Sequence, residues 1–304
     1  MIQSLNHPPA LRGVFAPILT PLDPELNPDV PRMAEHARWL LDHGCHGLVV
    51  FGTTGEATSF APDERMATLE GLLAAGLPPE KLLVGTGACS VPETATLTRH
   101  AVAQGCAGVL MLPPFYYKDV PDQGLFHHFA QVIDRVADDR LRIYLYHIPQ
   151  FSGTPFSLEL IQRLVDAFPA TVVGIKDSSG QWENLRAILE RFPGFGTFSG
   201  TEAFLLRTLR AGGVGTISAM ANVIPERLRH LYDHWQEPEA DAWQAQLMET
   251  RQRIARYGAI PGLKLMVAEQ RQDPGWRRVR PPLVALEGWA EEGGRQTTDR
   301  SGEP

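Results

Sequence analysis

The chain has 304 residues, of which 43% are hydrophobic and 21% are charged, and its formal net charge is -7. This composition is typical of a folded globular protein with a large core. The acidic balance offers no basic surface for nucleic acid or for an anionic lipid surface, and no run approaches the roughly 18 apolar residues of a membrane helix. Neither nucleic acid nor a membrane is therefore expected as a partner.

Cysteine spacing and glycine-rich stretches exclude several kinds of site. Cys45, Cys89 and Cys106 are widely spaced and form no CxxC pair, which argues against a zinc site and against a disulfide framework. The stretch GTGACS (85–90) lacks the third glycine of a dinucleotide-binding loop. The first residues also lack the pattern of a secretion signal. We expect a cytoplasmic protein with no metal ion and no cofactor.

Short apolar runs recur along the chain, and they end in glycine, proline or small polar residues. Their apolarity is continuous rather than alternating, which is typical of strands covered on both faces in a parallel sheet. Eight such strands are predicted, over 13–21, 47–55, 81–87, 107–115, 141–149, 171–178, 196–202 and 213–221.

Segments of helical periodicity separate most of these runs. Pro62 suits a first helical position, and Asp63 and Glu64 suit the positive first turn, which predicts a helix to about residue 75. Further helices are predicted over 93–104, 122–138, 157–168, 181–191, 202–211 and 225–235. Strands that alternate with helices predict an α/β fold, a (β/α)8 TIM barrel over 1–235, with its active site at the C-terminal strand ends.

The alternation ends near residue 236. The pattern up to residue 271 is helical, and no further strand follows. We therefore expect 236–304 to be a C-terminal helical appendix, with a frayed or disordered tail at EEGGRQTTDRSGEP.

One lysine stands near the end of a strand where a charge is costly. Lys176 follows the apolar run VVGI (172–175), in a chain with only four lysines among its 28 basic residues. Burial disfavours the charged form of an amine, and a neutral amine is the nucleophile that attacks a ketone to form a Schiff base. The alternative is a structural ion pair with Asp177, but adjacent strand residues point to opposite faces.

Other polar groups are predicted at the same end of the barrel. The phenol of Tyr146 can donate and accept a proton, although strands favour tyrosine in any case. The loop GTTGE (52–56) offers the hydroxyls of Thr53 and Thr54 and consecutive N–H groups to a carboxylate, although it could simply be a capped turn. Glu56 is expected to anchor the loop or the helix start.

Several motifs occur in a characteristic order. They are GTTGE (52–56), PFYY (114–117), YxIPxxSG (146–153), GIKDSSG (174–180), SGTEA (199–203) and GTISAMANV (215–223), followed by IPGLKLMVAEQ (260–270) and RPPL (280–283). In this order the chain resembles the dihydrodipicolinate synthase/N-acetylneuraminate lyase family of pyruvate-dependent class I aldolases. The resemblance spans nearly the whole chain.

The resemblance implies catalytic roles for four residues. Lys176 forms the Schiff base with pyruvate or another 2-keto acid, and Tyr146 is the acid/base residue beside it. Tyr116, or less favourably Tyr117, reaches into the site of a neighbouring subunit and completes a proton relay through Thr53. The family usually forms a homotetramer, a dimer of dimers, and the role of Tyr116 requires at least the dimer.

The resemblance also implies the substrate-binding residues. Thr53 and Thr54 hold the carboxylate of the keto acid, in a loop that Gly52 begins. Ile217 and Gly200 line the keto-acid pocket.

Two departures bear on the second substrate. Dihydrodipicolinate synthases usually have a carboxylate-binding arginine where this chain has Phe151, and an apolar ring cannot replace that contact. Sialic acid lyases share an apolar residue there, but they bind sugar hydroxyls with an Asp-Glu pair where this chain has Glu202 and Ala203. We therefore expect Phe151 and Glu202 to contact a shorter 2-keto-3-deoxy sugar acid or another aldehyde-derived adduct.

The leading hypothesis is thus a lyase or aldolase that acts on pyruvate and an aldehyde. Two alternatives use the same imine: a 4-hydroxy-tetrahydrodipicolinate synthase of lysine biosynthesis, despite Phe151, and a keto-acid dehydratase. A keto-acid-binding protein without turnover and a metal-dependent aldolase are less favoured.

Overall fold

Eight short, buried strands close into a parallel barrel in a computed structural model of the chain, which describes residues 11–255 and 258–288. Each strand pairs with its neighbour in sequence, and the last pairs with the first. The strands are β1 Gly13–Pro17, β2 Gly47–Val50, β3 Leu82–Gly85, β4 Gly108–Met111, β5 Ile143–His147, β6 Val172–Asp177, β7 Gly196–Ser199 and β8 Gly215–Ile217. The predicted (β/α)8 barrel and its strands are confirmed.

Helices follow the strands around the outside of the barrel. They are α1 Val30–Asp42, α2 Pro62–Ala74, α3 Val91–Ala103, α4 Asp122–Val136, α5 Pro149–Ser152, α6 Leu158–Ala167, α7 Trp182–Arg191, α8 Leu205–Arg210, α9 Pro225–Asp233, α10 Ala240–Ala255 and α11 Ala259–Arg271. The predicted segment 202–211 is divided, since a 3-10 turn over Glu202–Phe204 precedes α8.

Two helices were not predicted. Helix α1 has 13 residues and begins where the Asp29 side chain accepts a hydrogen bond from Arg32 N, with Pro31 in the first turn. Helix α5 is only four residues long and lies in the YHIPQFSG stretch.

Helices α10 and α11 lie within the predicted C-terminal appendix. A domain boundary at residue 235 stays a prediction. The predicted frayed tail, 291–304, lies outside the described residues. No helix in the described ranges is long and apolar enough to cross a bilayer.

Alternation along β5 and β6 decides which side chains face the barrel interior. Tyr144 and Tyr146 pack in the interior apolar cluster, whereas Leu145 packs in the outer cluster beneath the helices. Tyr144 pairs with Gly174, and a Cβ at Gly174 would lie 2.4 Å from the Tyr144 ring. The glycine therefore leaves room for that ring, and two residues later Lys176 takes the same inward direction beside Tyr146.

The residues after the barrel pack back onto its helices. Arg280 donates from Nη1 to Glu64 Oε2 at 2.9 Å and stacks on Phe60, with 4.2 Å from Cζ to the ring centroid. Trp276 packs edge-on against His36 of α1, and His36 stacks on Trp39. The C-terminal segment is therefore part of the same packed structure as helices α1 and α2.

His36 should make stability depend on pH. Burial lowers the pKa of His36 to about 3, whereas an unfolded histidine has a pKa of about 6.5. Between these values the unfolded chain binds a proton that the folded chain does not, so the stabilisation is complete above about pH 6.5 and is lost as the pH falls toward 3. We expect His36→Gln to reduce the slope of unfolding free energy between pH 6.5 and 4.5 by up to about 1.4 kcal/mol per pH unit.

The measurement is chemical unfolding at a series of pH values. The quantity compared is the slope of the unfolding free energy against pH, not the stability at any one pH. His127→Gln, on the exposed face of α4, serves as the control. An unchanged slope in His36→Gln would mean that His36 does not stay neutral in the folded protein.

Candidate active site

Lys176 lies inside the C-terminal end of the barrel with its side chain almost fully buried. It stands directly opposite Tyr146 in the pairing of β5 with β6. Its Nζ donates a hydrogen bond to the Tyr146 hydroxyl at 3.3 Å and lies 4.3 Å from the centroid of the Tyr146 ring. The two side chains that the sequence predicted at neighbouring strand ends are therefore in contact.

The structural alternative for Lys176, an ion pair with Asp177, does not occur. Asp177 Oδ1 accepts from Ser179 N at 2.8 Å, and Oδ2 accepts from Asn184 Nδ2 at 3.0 Å. Within 11–255 and 258–288, no carboxylate forms an ion pair with Lys176. The amine thus faces a phenol rather than a counter-ion.

Thr53 extends the contact to a third group. Its Oγ1 lies 3.1 Å from the Tyr146 hydroxyl, and either atom can donate. Thr53 opens a 3-10 turn over Thr53–Gly55 at the end of β2, capped by Gly52 in extended conformation. The amine, the phenol and the threonine hydroxyl therefore form a continuous chain of hydrogen-bonding groups that can pass a proton.

Glu56 anchors this loop to the C-terminal segment of the chain. It has a left-handed backbone, with φ 58°, and its side chain is buried. Its Oε1 lies 2.5 Å from Lys264 Nζ, and its Oε2 accepts from Arg280 N at 2.9 Å. Lys264 also donates to the Arg278 carbonyl at 2.6 Å. Glu56 therefore anchors the loop through an ion pair with Lys264 of α11, which the sequence analysis did not predict. The signal that could have revealed it is a lysine within the apolar stretch GLKLMV (262–267).

A cavity of about 250 Å³ opens above Thr53 and Tyr146. Of the predicted site residues, Gly52, Thr53, Tyr146 and Phe151 line it. Phe151 lies at the rim, with 70% of its surface exposed. The other predicted residues, Lys176, Thr54, Gly200, Ile217, Glu202 and Tyr116, are not among the lining residues.

Ile217, Gly200 and Thr54 lie nearby. Ile217 packs in the same interior cluster as Tyr146. Gly200 donates from N to the Asp177 carbonyl at 2.6 Å, and a Cβ there would lie 2.7 Å from that carbonyl oxygen and from Ser178 Cα, so this close backbone approach requires glycine. Thr54 is nearly buried in the turn next to Thr53.

Glu202 is already engaged by other side chains. Its Oε2 accepts from Ser218 Oγ at 2.5 Å, and its Oε1 pairs with Arg251 Nη1 of α10 at 2.5 Å. Arg251 also donates to Thr201 Oγ1 at 2.8 Å. The ion pair with Arg251 was not predicted. Both carboxylate oxygens of Glu202, which was expected to contact the substrate, are thus bound by other side chains.

Tyr116 and Tyr117 follow β4 on an exposed loop. Their side chains are 75% and 74% exposed, and the rings contact each other edge to face with centroids 5.4 Å apart. Neither ring lines the cavity of its own chain.

Comparisons with known proteins agree with this architecture. The model of the Dihydrodipicolinate synthetase family matches residues 10–296. An uncharacterized DapA-like lyase of Chloroflexus aurantiacus is 32% identical over 277 residues, which are 90% of this chain and 92% of that protein.

Two solved structures are similar over nearly their whole length. Dihydrodipicolinate synthase from Agrobacterium tumefaciens has a TM-score of 0.85 at 32% identity, covering 91% of this chain and 94% of that one. YagE, a prophage protein of the dihydrodipicolinic acid synthase family from E. coli K12 solved with pyruvate, has a TM-score of 0.81 at 26% identity, with the same coverage. The chain therefore belongs to the dihydrodipicolinate synthetase family and is an enzyme of its class I aldolase and lyase type.

Proposed function

We propose that this enzyme forms a Schiff base between Lys176 and pyruvate or a related 2-keto acid. The observation that carries the proposal is the buried Lys176 amine in contact with Tyr146, which in turn contacts Thr53. The pyruvate bound to YagE supports pyruvate as the keto acid. No carboxylate of the described residues holds the amine as a structural ion pair.

The chemistry follows from these groups. The neutral amine adds to the ketone carbon, and the resulting carbinolamine loses water to give the imine. Loss of a proton from the neighbouring methyl carbon gives an enamine, whose carbon adds to the carbonyl carbon of an aldehyde while the aldehyde oxygen takes up a proton. Hydrolysis then releases a 4-hydroxy-2-keto acid and the free amine. The reverse sequence cleaves the same bond.

Tyr146 and Thr53 are placed for the proton transfers. A phenol beside the amine can protonate the departing hydroxyl and the aldehyde oxygen, and Thr53 can pass the proton onward. The turn that contains Thr53 and Thr54 offers hydroxyl and N–H donors to the keto-acid carboxylate. Ile217 and Gly200 would line the keto-acid pocket.

Assembly and location complete the proposal. The exposed Tyr116 would enter the relay of a neighbouring subunit through Thr53, with Tyr117 as the alternative, in a homotetramer built as a dimer of dimers. The cysteine pattern supports a cytoplasmic location.

For the second substrate, the sequence favours an aldehyde whose adduct is a 2-keto-3-deoxy sugar acid. Synthesis of 4-hydroxy-tetrahydrodipicolinate and keto-acid dehydration use the same imine and remain the alternatives. Phe151 lines the cavity where a carboxylate-binding arginine would be needed for aspartate semialdehyde.

Reductive trapping tests the proposal. Incubation with pyruvate and sodium borohydride should inactivate the enzyme and add one carboxyethyl group to the peptide that contains Lys176. The other three lysines, Lys81, Lys118 and Lys264, are internal controls in the same peptide map. Modification confined to the exposed Lys81 and Lys118, or none at all, would overturn the proposal.

A further inference from the structure

We propose that the second substrate is an uncharged aldehyde with an apolar substituent, aliphatic or aromatic, rather than a sugar or an amino-acid semialdehyde. This inference rests on the Schiff base of the proposed function, because it names the aldehyde that the enamine attacks. It replaces the sugar-acid adduct that the sequence alone favours, since the side chains that line the cavity are mostly apolar. The observations that carry it are the side chains around the cavity and the polar contacts that they already make.

The cavity lies next to the proposed proton relay, where the substituent of the aldehyde would be bound. Thr53 and Tyr146 form part of its wall, and the same two residues belong to the proposed proton relay. An aldehyde whose carbonyl carbon meets the enamine beside Tyr146 therefore directs its substituent into this space. The keto acid takes the part of the cavity beside Thr53, and the remainder of the 250 Å³ is enough for a phenyl ring or a short alkyl chain, since an apolar cavity of about 150 Å³ binds benzene.

The wall of the cavity is mostly apolar. Six of its 15 lining residues carry large apolar side chains, and none carries a charge. The six are Phe51, Leu110, Leu112, Phe115, Ile148 and Phe151. Each methylene moved from water into such a wall favours binding roughly fourfold.

Two of the hydroxyls in the wall are already hydrogen-bonded. Ser152 Oγ donates to the Thr154 carbonyl at 3.1 Å and accepts from Thr154 N at 3.2 Å. Thr86 Oγ1 accepts from Thr98 Oγ1 at 3.0 Å. A sugar chain would lose its bound water on entry and find few free partners, and an unpaired buried hydroxyl is costly.

Two charged side chains near the cavity, the buried Arg65 and the exposed Lys118, donate to backbone carbonyls of residues that line it. The buried Arg65 donates from Nη2 to the Gly85 carbonyl at 2.6 Å. Lys118 donates to the Ser152 carbonyl at 2.8 Å and to the carbonyl of Phe115. Neither lines the cavity, and Glu202 is paired with Arg251. A carboxylate or an ammonium group on the aldehyde thus has no counter-charge in the wall.

The test compares aldehydes of equal carbon number in condensation with pyruvate. Propanal is paired with glyceraldehyde and butanal with aspartate semialdehyde, and benzaldehyde represents an aromatic group. We expect kcat/KM to rise about fourfold per methylene from propanal to butanal. We also expect each apolar aldehyde to exceed its polar counterpart by about tenfold or more, since one unpaired buried polar group costs that much.

Variants at Leu112 locate the effect in the cavity. Leu112→Asn keeps the branched shape of the side chain but places an amide in the half-buried wall, and should lower kcat/KM for butanal about tenfold relative to glyceraldehyde. Leu112→Met keeps the wall apolar and should preserve the preference for butanal. Borohydride trapping of pyruvate is measured in each variant to report whether the lysine site is intact.

The outcomes separate this inference from the proposed function. Intact trapping with a preference for glyceraldehyde, or with no condensation of any apolar aldehyde, would overturn the inference and leave the Schiff base in place. A preference for aspartate semialdehyde that disappears in Lys118→Met would also overturn it and assign Lys118 to an acid group. Absence of trapping in the wild-type enzyme would overturn the proposed function itself.

Discussion

Lys176→Ala is expected to lower kcat/KM for aldehyde condensation by about 10⁴-fold or more, because loss of a nucleophile that acts as a unit with its acid/base partner costs about 10⁴- to 10⁶-fold. The amine donates a long hydrogen bond to Tyr146 at 3.3 Å and has no ion pair with any carboxylate in the described residues. Its removal should therefore abolish the chemistry while leaving the fold intact. The measurements are pyruvate consumption and thermal unfolding of the same preparation.

Two matched variants define what is lost. Lys176→Arg keeps a long basic side chain in the barrel, but its guanidinium cannot be deprotonated to attack a ketone, so this variant should be as inactive as Lys176→Ala. Tyr146→Phe keeps the ring but removes the acid/base hydroxyl, and should slow turnover by about 10²- to 10⁴-fold while Lys176 is still trapped by borohydride. A Lys176→Ala enzyme that keeps a tenth of wild-type activity would show that the reaction does not pass through this amine.

The barrel could be predicted because its strands are covered on both faces. Each strand is therefore a continuous apolar run, which marks its position whatever the tertiary contacts are. Helix α1 was missed although its signals are present: the N-cap at Asp29, Pro31 in the first turn, and apolar residues at helical spacing, of which Met33, Ala37 and Leu40 are buried. Helix α5 is a single turn, too short for helical periodicity to appear.

The central site could be predicted because barrel geometry gathers strand ends. Lys176 and Tyr146 are 30 residues apart, and Thr53 is 93 residues from Tyr146, but the fold brings the ends of β2, β5 and β6 together. The ion pairs that support the site do not lie at strand ends alone, so barrel geometry does not predict them. Glu56 meets Lys264, and Glu202 meets Arg251, through the packing of α10 and α11 against the barrel. Side chains so far apart in the chain carry no local pattern that links them.

The two buried lysines illustrate this limit. Lys264 is wholly buried and has the environment of a structural lysine, with a carboxylate oxygen at 2.5 Å and a carbonyl oxygen at 2.6 Å from its Nζ. Burial lowers the pKa of Lys264, and the Glu56 carboxylate opposes that shift. Both lysines follow apolar residues in sequence, so only the presence or absence of a counter-ion separates the structural lysine from the proposed nucleophile.

Lys264→Met is expected to lower the free energy of unfolding by about 3–5 kcal/mol, the usual cost of breaking a buried ion pair from one side. The Glu56 carboxylate would stay buried with the Arg280 N–H as its remaining neighbour from the C-terminal segment. Urea unfolding measures the loss. Lys81→Met, at an exposed position, is the matched control and should change stability by no more than about 0.5 kcal/mol.

The double variant Glu56→Gln/Lys264→Met tests whether the cost comes from the unpaired charge. Removing both charges should restore part of the stability, so that the double variant is less destabilised than the sum of the two single variants. Because Glu56 lies two residues after Thr54 in the loop proposed to hold the keto-acid carboxylate, Lys264→Met should also raise the KM for pyruvate more than it lowers kcat. A Lys264→Met enzyme whose free energy of unfolding falls by less than about 1 kcal/mol would mean that Glu56 and Lys264 do not form a buried ion pair. The C-terminal segment would then have no electrostatic connection to the site through Glu56.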